Sequence, residues 1–196
     1  MFQIRILGRG GQGVVTAAEV VSVAAFAEGR HAQAFPSFGS ERMGAPVVSY
    51  CRIDDRPIRT REPVMEPDAL IVQDVTLLHQ VELFAGLSLD GYILVNTSRS
   101  FDDLGIGEFV KRFRHERLLT CPATELALAQ LGRPLPNAAL LGGFAALTGQ
   151  VSLAAIETAL RDRFAGTVGE RNAAAAAAAY RLVVLAEKEL TGAATD

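Results

Sequence analysis

Short apolar runs alternate with longer amphipathic stretches over residues 1–122, and this alternation predicts an α/β fold. The runs at residues 69–72 and 92–95 contain no polar position, which is typical of strands buried on both faces of a parallel sheet. The other predicted strands are residues 2–7, 31–35, 47–53 and 118–121. Residues 57–61 follow a turn and are expected to return as a hairpin strand.

Helical spacing of apolar residues fills the stretches between these strands and the end of the chain. Between the strands, we predict a helix over residues 14–27 that ends at Gly29, an amphipathic helix in which Leu77, Leu78, Val81 and Phe84 share a face, and a helix over 102–113. After the last strand, the predicted helices are residues 123–131, 137–147, 153–164 (with Ser152 as its N-cap) and 169–190. The alanine run 173–179 in the last helix allows another helix to pack closely against it.

These elements predict a single domain over residues 1–196. Residues 2–122 form a Rossmann-like, mostly parallel sheet flanked by helices, and residues 123–190 form a C-terminal helical portion. No repeat and no linker long enough to mark a second domain interrupts this order.

A glycine segment, defined as residues 8–13, joins the first predicted strand to the first predicted helix. Its members are Gly8, Arg9, Gly10, Gly11, Gln12 and Gly13. A strand, a glycine turn and a helix in this order bring backbone N–H groups and a positive helix end to one point, which is a place for a phosphate. Gly8, Gly10 and Gly13 fit the dinucleotide fingerprint, in which the three glycines give a tight turn, close approach to phosphate, and close packing of helix on strand. The alternative is a plain tight turn within the sheet.

The end of the second predicted strand lacks the acidic residue that an NAD site requires. Such a site places Asp or Glu about 20 residues beyond the glycines, where it binds the ribose hydroxyls. Residues 31–36 contain no carboxylate, Glu28 comes earlier and Glu41 comes later. This pattern counts against a nicotinamide dehydrogenase and leaves another phosphorylated ligand, such as coenzyme A.

A second candidate segment, the serine–glycine segment (residues 37–44), follows the same strand. Its candidate binding residues are Ser37, Phe38, Gly39, Ser40, Glu41, Arg42 and Gly44. A Glu–Arg pair set among glycines and prolines can project its guanidinium toward an anionic ligand or a partner chain. The alternative is an exposed loop with a salt bridge of little energetic value.

Composition and charge exclude several classes of function. The chain has 196 residues and a net charge of −3, with no tryptophan, so neither a basic field nor a base-stacking platform for nucleic acid is present. No apolar run reaches the roughly 18–20 residues of a membrane span, and we expect a cytoplasmic protein without a targeting leader. The hydrophobic content of 49% indicates either a sheet covered on both faces or a surface that is buried in an assembly.

Catalytic and metal-binding patterns are not found. Cys51 and Cys121 lie far apart in strand-like runs, so we expect two buried, reduced thiols, and no C-x-x-C motif is present for an iron–sulfur cluster or zinc. The histidines have no metal-ligand spacing, and no serine occurs in G-x-S-x-G. We therefore predict neither a general acid or base nor a metal ligand in this chain.

Several motifs occur in an order that resembles one family. They are GRGGQG at 8–13, FP-x-FG-x-ER-x-GAPV at 35–47, PIR at 57–59, VNT at 95–97, GRP at 132–134, Asn137, LG at 141–142, Gly149, Asn172 and AY at 179–180. Over about residues 2–184 the chain resembles the gamma subunit of pyruvate:ferredoxin oxidoreductase, a unit that single-chain members of the family contain as an internal domain.

The resemblance implies a complex that oxidatively decarboxylates a 2-oxoacid, makes an acyl-CoA and reduces an acceptor. It implies alpha, beta and delta-type partner subunits, which carry thiamine diphosphate, Mg and [4Fe–4S] clusters, and an acceptor that is ferredoxin or NAD-linked. It associates the gamma unit with coenzyme A binding and with completing the active-site cavity. Carried onto this sequence, the glycine segment would hold phosphate oxygens of coenzyme A, and the serine–glycine segment would line the route of its thiol, with Arg42 as the anion contact.

Two alternatives belong to other classes. An autonomous NAD-dependent oxidoreductase would bind nicotinamide without partners. A purely structural subunit would use the glycine segment only as a turn. The resemblance is shared by chains that handle pyruvate, branched, aromatic or dicarboxylic 2-oxoacids, so it does not select among these substrates.

Overall fold

A six-stranded mixed sheet forms the centre of the protein, for which a computed structural model describes residues 1–37, 44–79 and 82–192. The strands, β1 to β6, are Phe2–Arg9, His31–Pro36, Pro46–Asp54, Ala69–Val72, Tyr92–Asn96 and Leu118–Cys121. Their order in the sheet is β2-β3-β1-β4-β5-β6. Strands β1, β4, β5 and β6 are parallel, and β3 runs antiparallel to both of its neighbours. The predicted α/β class with a mostly parallel sheet is confirmed.

The helices lie mainly on one face of the sheet and in the C-terminal portion. The α-helices, α1 to α6, are Val14–Ala27, Gly107–Val110, Ala123–Leu131, Asn137–Thr148, Leu153–Arg163 and Thr167–Gly192. Short 3₁₀ helices span Val75–His79 and His115–Arg117. Within the described ranges, no helix is both long enough and apolar enough to cross a membrane.

Alternation along β1 divides the hydrophobic core between the two faces of the sheet. Ile4 and Ile6 point into a large cluster with α1 and the C-terminal helices. Leu7 points to the other face and packs with Leu70 and Val72 under the segments that connect the strands. The sheet is therefore covered on both faces over β1 and β4.

The C-terminal helices follow the predicted boundaries to within two residues. Helix α3 agrees with its prediction, and the Ser152 hydroxyl oxygen accepts a hydrogen bond from the Ala155 N–H at 3.1 Å as an N-cap. The alanine run packs against α4: a Cβ on Gly142 would lie 1.9 Å from the carbonyl oxygen of Ala176. The predicted close helix contact at this run is confirmed.

Three predictions on the second face of the sheet are wrong. Residues 57–61 form no strand, and the helix expected around Leu77 and Phe84 is a 3₁₀ helix followed by turns, with Gln80 and Val81 outside the described residues. The helix expected over residues 102–113 is reduced to α2, because Gly105 adopts a left-handed conformation with φ +74° that interrupts it.

On this face of the sheet, hydrogen bonds from two arginine side chains, and not the pairing of strands, hold the irregular segments in place. Arg52 donates to the carbonyl oxygen of Glu62, and Arg5 donates to those of Val64 and Ala85 at 2.8 and 2.7 Å. These bonds satisfy backbone acceptors of the irregular segments and hold those segments against the sheet.

Candidate anion-binding site

The glycine segment lies at the edge of the sheet where the parallel strands end, and Gly44 of the serine–glycine segment contacts it there. Gly10 N–H donates to the Ala45 carbonyl oxygen at 2.9 Å, and Gly44 N–H donates to the Gly10 carbonyl oxygen at 3.2 Å. The Arg9 guanidinium donates to the carbonyl oxygen of Gly44 at 2.9 Å. These bonds join the end of β1 to the end of the serine–glycine segment.

Much of the serine–glycine segment falls outside the described residues, including the predicted positions Phe38, Gly39, Ser40, Glu41 and Arg42. Ser37 is exposed, and its N–H donates to the Val48 carbonyl oxygen at 2.9 Å. This bond fixes the point at which the segment leaves the sheet.

The structure assigns the glycines of the first segment different roles from those of the fingerprint. Gly8 lies inside β1, and a Cβ there would be 2.7 Å from Cγ2 of Val14, so Gly8 provides the close packing of helix on strand. The turn occurs at Gly11, with φ +94°. The Gly10 N–H is engaged by Ala45, because the antiparallel neighbour β3 extends the pairing of β1 beyond Gly8.

The amino end of α1 is open at this turn. Its N-cap is Gly13, with φ +73°, so no side chain caps the helix, and the first turn contains no acidic residue. Within the described ranges, the N–H groups of Gly11 and Gly13 donate to no acceptor. First-turn N–H groups and the positive helix end together favour an anion at this position.

The side chains of Arg9 and Gln12 link the glycine turn to Asp74 and Thr76 by hydrogen bonds and an ion pair. Gln12 Oε1 accepts from the Arg9 N–H at 2.7 Å, and Gln12 Nε2 donates to Asp74 Oδ2 at 2.9 Å. Arg9 Nε lies 3.3 Å from the same Asp74 oxygen, and Arg9 Nη2 donates to Thr76 at 2.6 Å. We infer that both side chains position the glycine segment.

Asp74 is the acceptor that this arrangement depends on. Burial alone would raise the pKa of its carboxyl, but hydrogen bonds from Thr76 and Gln12, together with the charge of Arg9, outweigh burial and lower that pKa below its ordinary value. The carboxylate is therefore ionised at neutral pH and keeps its bonds to the turn.

Two clefts adjoin the glycine segment. The first, called the strand cleft, has a volume of about 310 Å³ and is lined by Arg9, Gly10, Gly11, Gly13, Val14, Val15, Thr16 and Val47. The second, called the helical cleft, has a volume of about 450 Å³ and lies between the segment and the C-terminal helices. Its polar lining includes Arg133, Asn137, Arg171 and Asn172, none of which was a predicted site residue. Arg133, Asn137 and Asn172 belong to motifs that carry the family resemblance, which is a signal that could have pointed to them.

The motifs around these clefts agree with a comparison of the whole chain. Residues 3–182 match the family described as pyruvate ferredoxin/flavodoxin oxidoreductase. The chain belongs to this family. The predicted resemblance is confirmed.

Members of this oxidoreductase family match the chain over nearly its full length. The common gamma subunit of the pyruvate/ketoisovalerate oxidoreductases of Pyrococcus abyssi is 47% identical over 180 residues, which are 92% of this chain and 96% of that subunit. The crystal structure of a pyruvate oxidoreductase subunit from Thermotoga maritima has a TM-score of 0.78 at 36% identity, covering 92% of this chain and 95% of that one.

The same fold occurs within a longer polypeptide. A 2-oxoglutarate:ferredoxin oxidoreductase from Magnetococcus marinus, solved with 2-oxoglutarate, coenzyme A and succinyl-CoA bound, matches with a TM-score of 0.68 at 15% identity. The match covers 93% of this chain and 31% of that one. At this identity the likeness is one of fold alone.

The cysteines of this family member are buried, as predicted. Cys51 and Cys121 are free thiols without exposed surface, and burial raises the pKa of each to about 12, with Glu125 adding to the effect at Cys121. In the part of the chain that the structure describes, no three His, Cys, Asp or Glu side chains form a group that could hold a metal ion.

We expect neither cysteine to react with a thiol reagent in the folded protein at pH 8, since the thiolate is the reactive form. Both should react once guanidinium chloride unfolds the chain. Mass spectrometry after timed exposure to iodoacetamide measures the two states. Rapid labelling of Cys51 in the native protein would contradict its burial in β3.

Proposed function

We propose that this chain is the gamma subunit of a 2-oxoacid:acceptor oxidoreductase complex and that its glycine segment binds phosphate oxygens of coenzyme A. The near full-length match to gamma subunits supports the first part. The observation that carries the second part is the open amino end of α1, where the Gly11 and Gly13 N–H groups have no acceptor among the described residues.

The proposed reaction converts a 2-oxoacid, coenzyme A and an oxidised acceptor into an acyl-CoA, carbon dioxide and a reduced acceptor. Coenzyme A carries several phosphate groups, and a helix amino end with free N–H groups stabilises such negative charge without a basic side chain. This chain binds and orients the cosubstrate, and none of its residues is assigned an acid or base role.

The remaining cofactors are assigned to other subunits. Thiamine diphosphate supplies carbanion stabilisation for decarboxylation and iron–sulfur clusters carry the electrons. We propose that Mg and the iron–sulfur clusters, like thiamine diphosphate, are held by alpha, beta or delta-type partners. We further propose that the complex works in the cytoplasm and passes electrons to ferredoxin or to an NAD-linked acceptor.

The serine–glycine segment extends the proposed site. Its two ends are bonded to the sheet at Ser37 and to the glycine segment at Gly44. Arg42 lies between these fixed points in sequence, so we propose it as an anion contact on the route of the coenzyme A thiol.

The sheet order disfavours the alternative of an autonomous NAD-binding enzyme. In an NAD site the acidic residue at the end of the second strand reaches the ribose of a dinucleotide held by the first strand's glycine turn. Here β3 lies between β1 and β2, so the end of β2 is two strand spacings, roughly 10 Å, from the glycine segment. Strand β2 also ends without a carboxylate.

Replacing Gly11 by aspartate in the assembled complex should raise the KM for coenzyme A at least about tenfold, the equivalent of losing one charge-assisted hydrogen bond. The new carboxylate would occupy the space beside the N–H groups and repel phosphate. The measurement is steady-state acyl-CoA formation as a function of coenzyme A, with subunit assembly checked by size-exclusion chromatography.

Gly29→Asp is the matched control. Gly29 also has a positive φ, +81°, but it lies beyond the opposite end of α1, where a Cβ meets no atom within 4 Å. We expect the KM of the Gly29→Asp complex for coenzyme A to stay near that of the unmodified complex. If Gly11→Asp assembles and leaves the KM unchanged, the glycine segment is only a structural turn.

A further inference from the structure

We propose that the helical cleft is a binding site for a diphosphate-bearing small molecule of nucleotide size, held by Arg133 and Arg171. Gly11 and Gly13 line this cleft and also belong to the proposed coenzyme A site, so the inference deepens and in part rests on the proposed function. It is nevertheless tested separately, because diphosphate binding can be measured on the full chain without any partner or any turnover. The chemical feature that the cleft would recognise is a diphosphate joined to an apolar ring system. Its source would be either the nucleotide end of coenzyme A or a free nucleoside diphosphate.

The cleft is formed where four parts of the chain meet. Gly11, Gly13 and Thr16 line it from the glycine segment and the start of α1. Arg133 follows the end of α3, Asn137 begins α4, and Arg171 lies near the beginning of α6. Three helices therefore have their amino ends at this cleft.

Positive charge in the cleft is not balanced by acidic groups. Arg133 and Arg171 are exposed, and neither makes an ion pair or hydrogen bond within the part of the chain that the structure describes. None of the lining residues is acidic. A guanidinium presents a planar fork of donors that matches phosphate oxygens, so two such groups around one cleft suit a diphosphate.

A buried amide gives an independent indication of a ligand. The Asn137 side chain lines the cleft and is only 7% exposed, yet it makes no hydrogen bond within the described ranges. Its Nδ2 lies over the glycine turn, because a Cβ on Gly13 would come within 2.6 Å of it. An amide that lines the cleft and donates to no described protein acceptor is available to an oxygen of a ligand at the turn.

The amino end of α4 strengthens the same position. The helix begins after Pro136, which offers no capping side chain, and its first turn contains no acidic residue. The positive ends of α1 and α4 thus meet at one cleft with uncapped first turns. Both favour negative charge at this point.

The rest of the lining identifies the class of molecule. Leu131, Leu135, Phe164 and Val168 provide an apolar wall beside the arginines. A volume of about 450 Å³ falls within the usual range for small-molecule sites and exceeds what a lone phosphate requires. An apolar wall next to a cationic end suits a heterocyclic base joined to a diphosphate.

Isothermal titration calorimetry on the full chain, at physiological ionic strength, tests the site with ADP and with inorganic pyrophosphate. We expect both to bind, and we expect Arg133→Ala and Arg171→Ala each to weaken binding about tenfold. Arg171→Lys should restore part of the loss, since it keeps the charge but not the fork. Circular dichroism confirms that each variant is folded.

Arg181→Ala is the matched control, because Arg181 is an exposed arginine on the same helix that does not line the cleft. Its affinity for ADP should equal that of the unmodified chain. The proposal is overturned if the unmodified chain binds neither ADP nor pyrophosphate, or if the control loses affinity as much as Arg171→Ala does.

The source of the ligand is decided by two further measurements. Coenzyme A should compete with ADP on the full chain, and Arg133→Ala/Arg171→Ala should raise the KM for coenzyme A in the complex, if the cosubstrate's nucleotide end occupies the cleft. If ADP binds in the cleft without competition and the KM does not change, the occupant is a free nucleotide. The site is supported in both cases. Because Gly11 also lines the helical cleft, Gly11→Asp is titrated with ADP as well, and a raised KM for coenzyme A with unchanged ADP affinity assigns the effect to the glycine segment.

Discussion

Replacing Gly142 by alanine is expected to lower the free energy of unfolding by about 2–3 kcal/mol, the range for overpacking in a core that cannot adjust. A Cβ at this position would lie 1.9 Å from the carbonyl oxygen of Ala176 and 2.5 Å from its carbonyl carbon. Because these atoms belong to the backbone of α6, the clash is relieved only if α4 and α6 move apart. Guanidinium chloride unfolding of the full chain measures the loss as a lower midpoint.

Gly143 provides a control one residue away in the same helix. The nearest atoms to a Cβ there are methyl groups of Leu94 and Val183, both at 3.4 Å, which is an ordinary contact distance. Alanine also favours a helix over glycine by up to about 1 kcal/mol, so Gly143→Ala should leave stability unchanged or increase it. An equal loss in both variants would show that α4 and α6 do not pack through Gly142.

The contrast between these two glycines shows what local sequence can predict. The bounds of α3 and α4 and the cap at Ser152 follow from helical spacing and from residues that begin or end helices, all of which are local signals. Nothing local distinguishes Gly142 from Gly143. The difference arises only because the alanine run, over 30 residues later, lies on α4.

Two of the three failed predictions share a long-range cause, whereas the helix over 102–113 is interrupted locally at Gly105. Residues 57–61 and the stretch after Leu77 have strand-like and helix-like patterns, but neighbouring carbonyl groups accept from Arg5, which is 59 residues from Val64 and 80 from Ala85. A single sequence offers no signal that a strand arginine will take these acceptors. Propensity was overridden by tertiary hydrogen bonding.

The candidate site was predicted only in part for the same reason. The position of the glycine segment between a strand and a helix follows from its spacing, whereas the insertion of antiparallel β3 beside β1 does not. That insertion engages the Gly10 N–H and moves the turn to Gly11. Arg133 and Arg171 lie 38 positions apart, and only the packing of the helical portion brings them to one cleft.

Replacing Arg5 by methionine is expected to lower the free energy of unfolding by at least about 3 kcal/mol, because it leaves several buried acceptors unpaired. Arg5 is 8% exposed, and its guanidinium donates to the carbonyl oxygens of Val64, Met65, Leu83 and Ala85 at 2.7–3.3 Å. Burial lowers the pKa of Arg5, partly offset by Tyr50, but a guanidinium stays protonated at any pH at which the protein folds. The loss of unfolding free energy should therefore not depend on pH between about 6 and 9.

Arg112→Met is the matched control, since Arg112 is an exposed arginine that stacks on Phe109 with its guanidinium carbon 4.0 Å from the ring centroid. Loss of this contact should cost under about 1 kcal/mol. Hydrogen exchange adds a local readout: Arg5→Met should accelerate exchange of the Leu87 N–H, which is bonded to Phe84 in the segment that Arg5 holds. Arg5→Lys keeps the charge but has fewer hydrogen-bond donors. Its loss of unfolding free energy should therefore lie between those of Arg5→Met and Arg112→Met. A loss in Arg5→Met no larger than in Arg112→Met would mean that the segments on this face of the sheet hold their positions without the guanidinium.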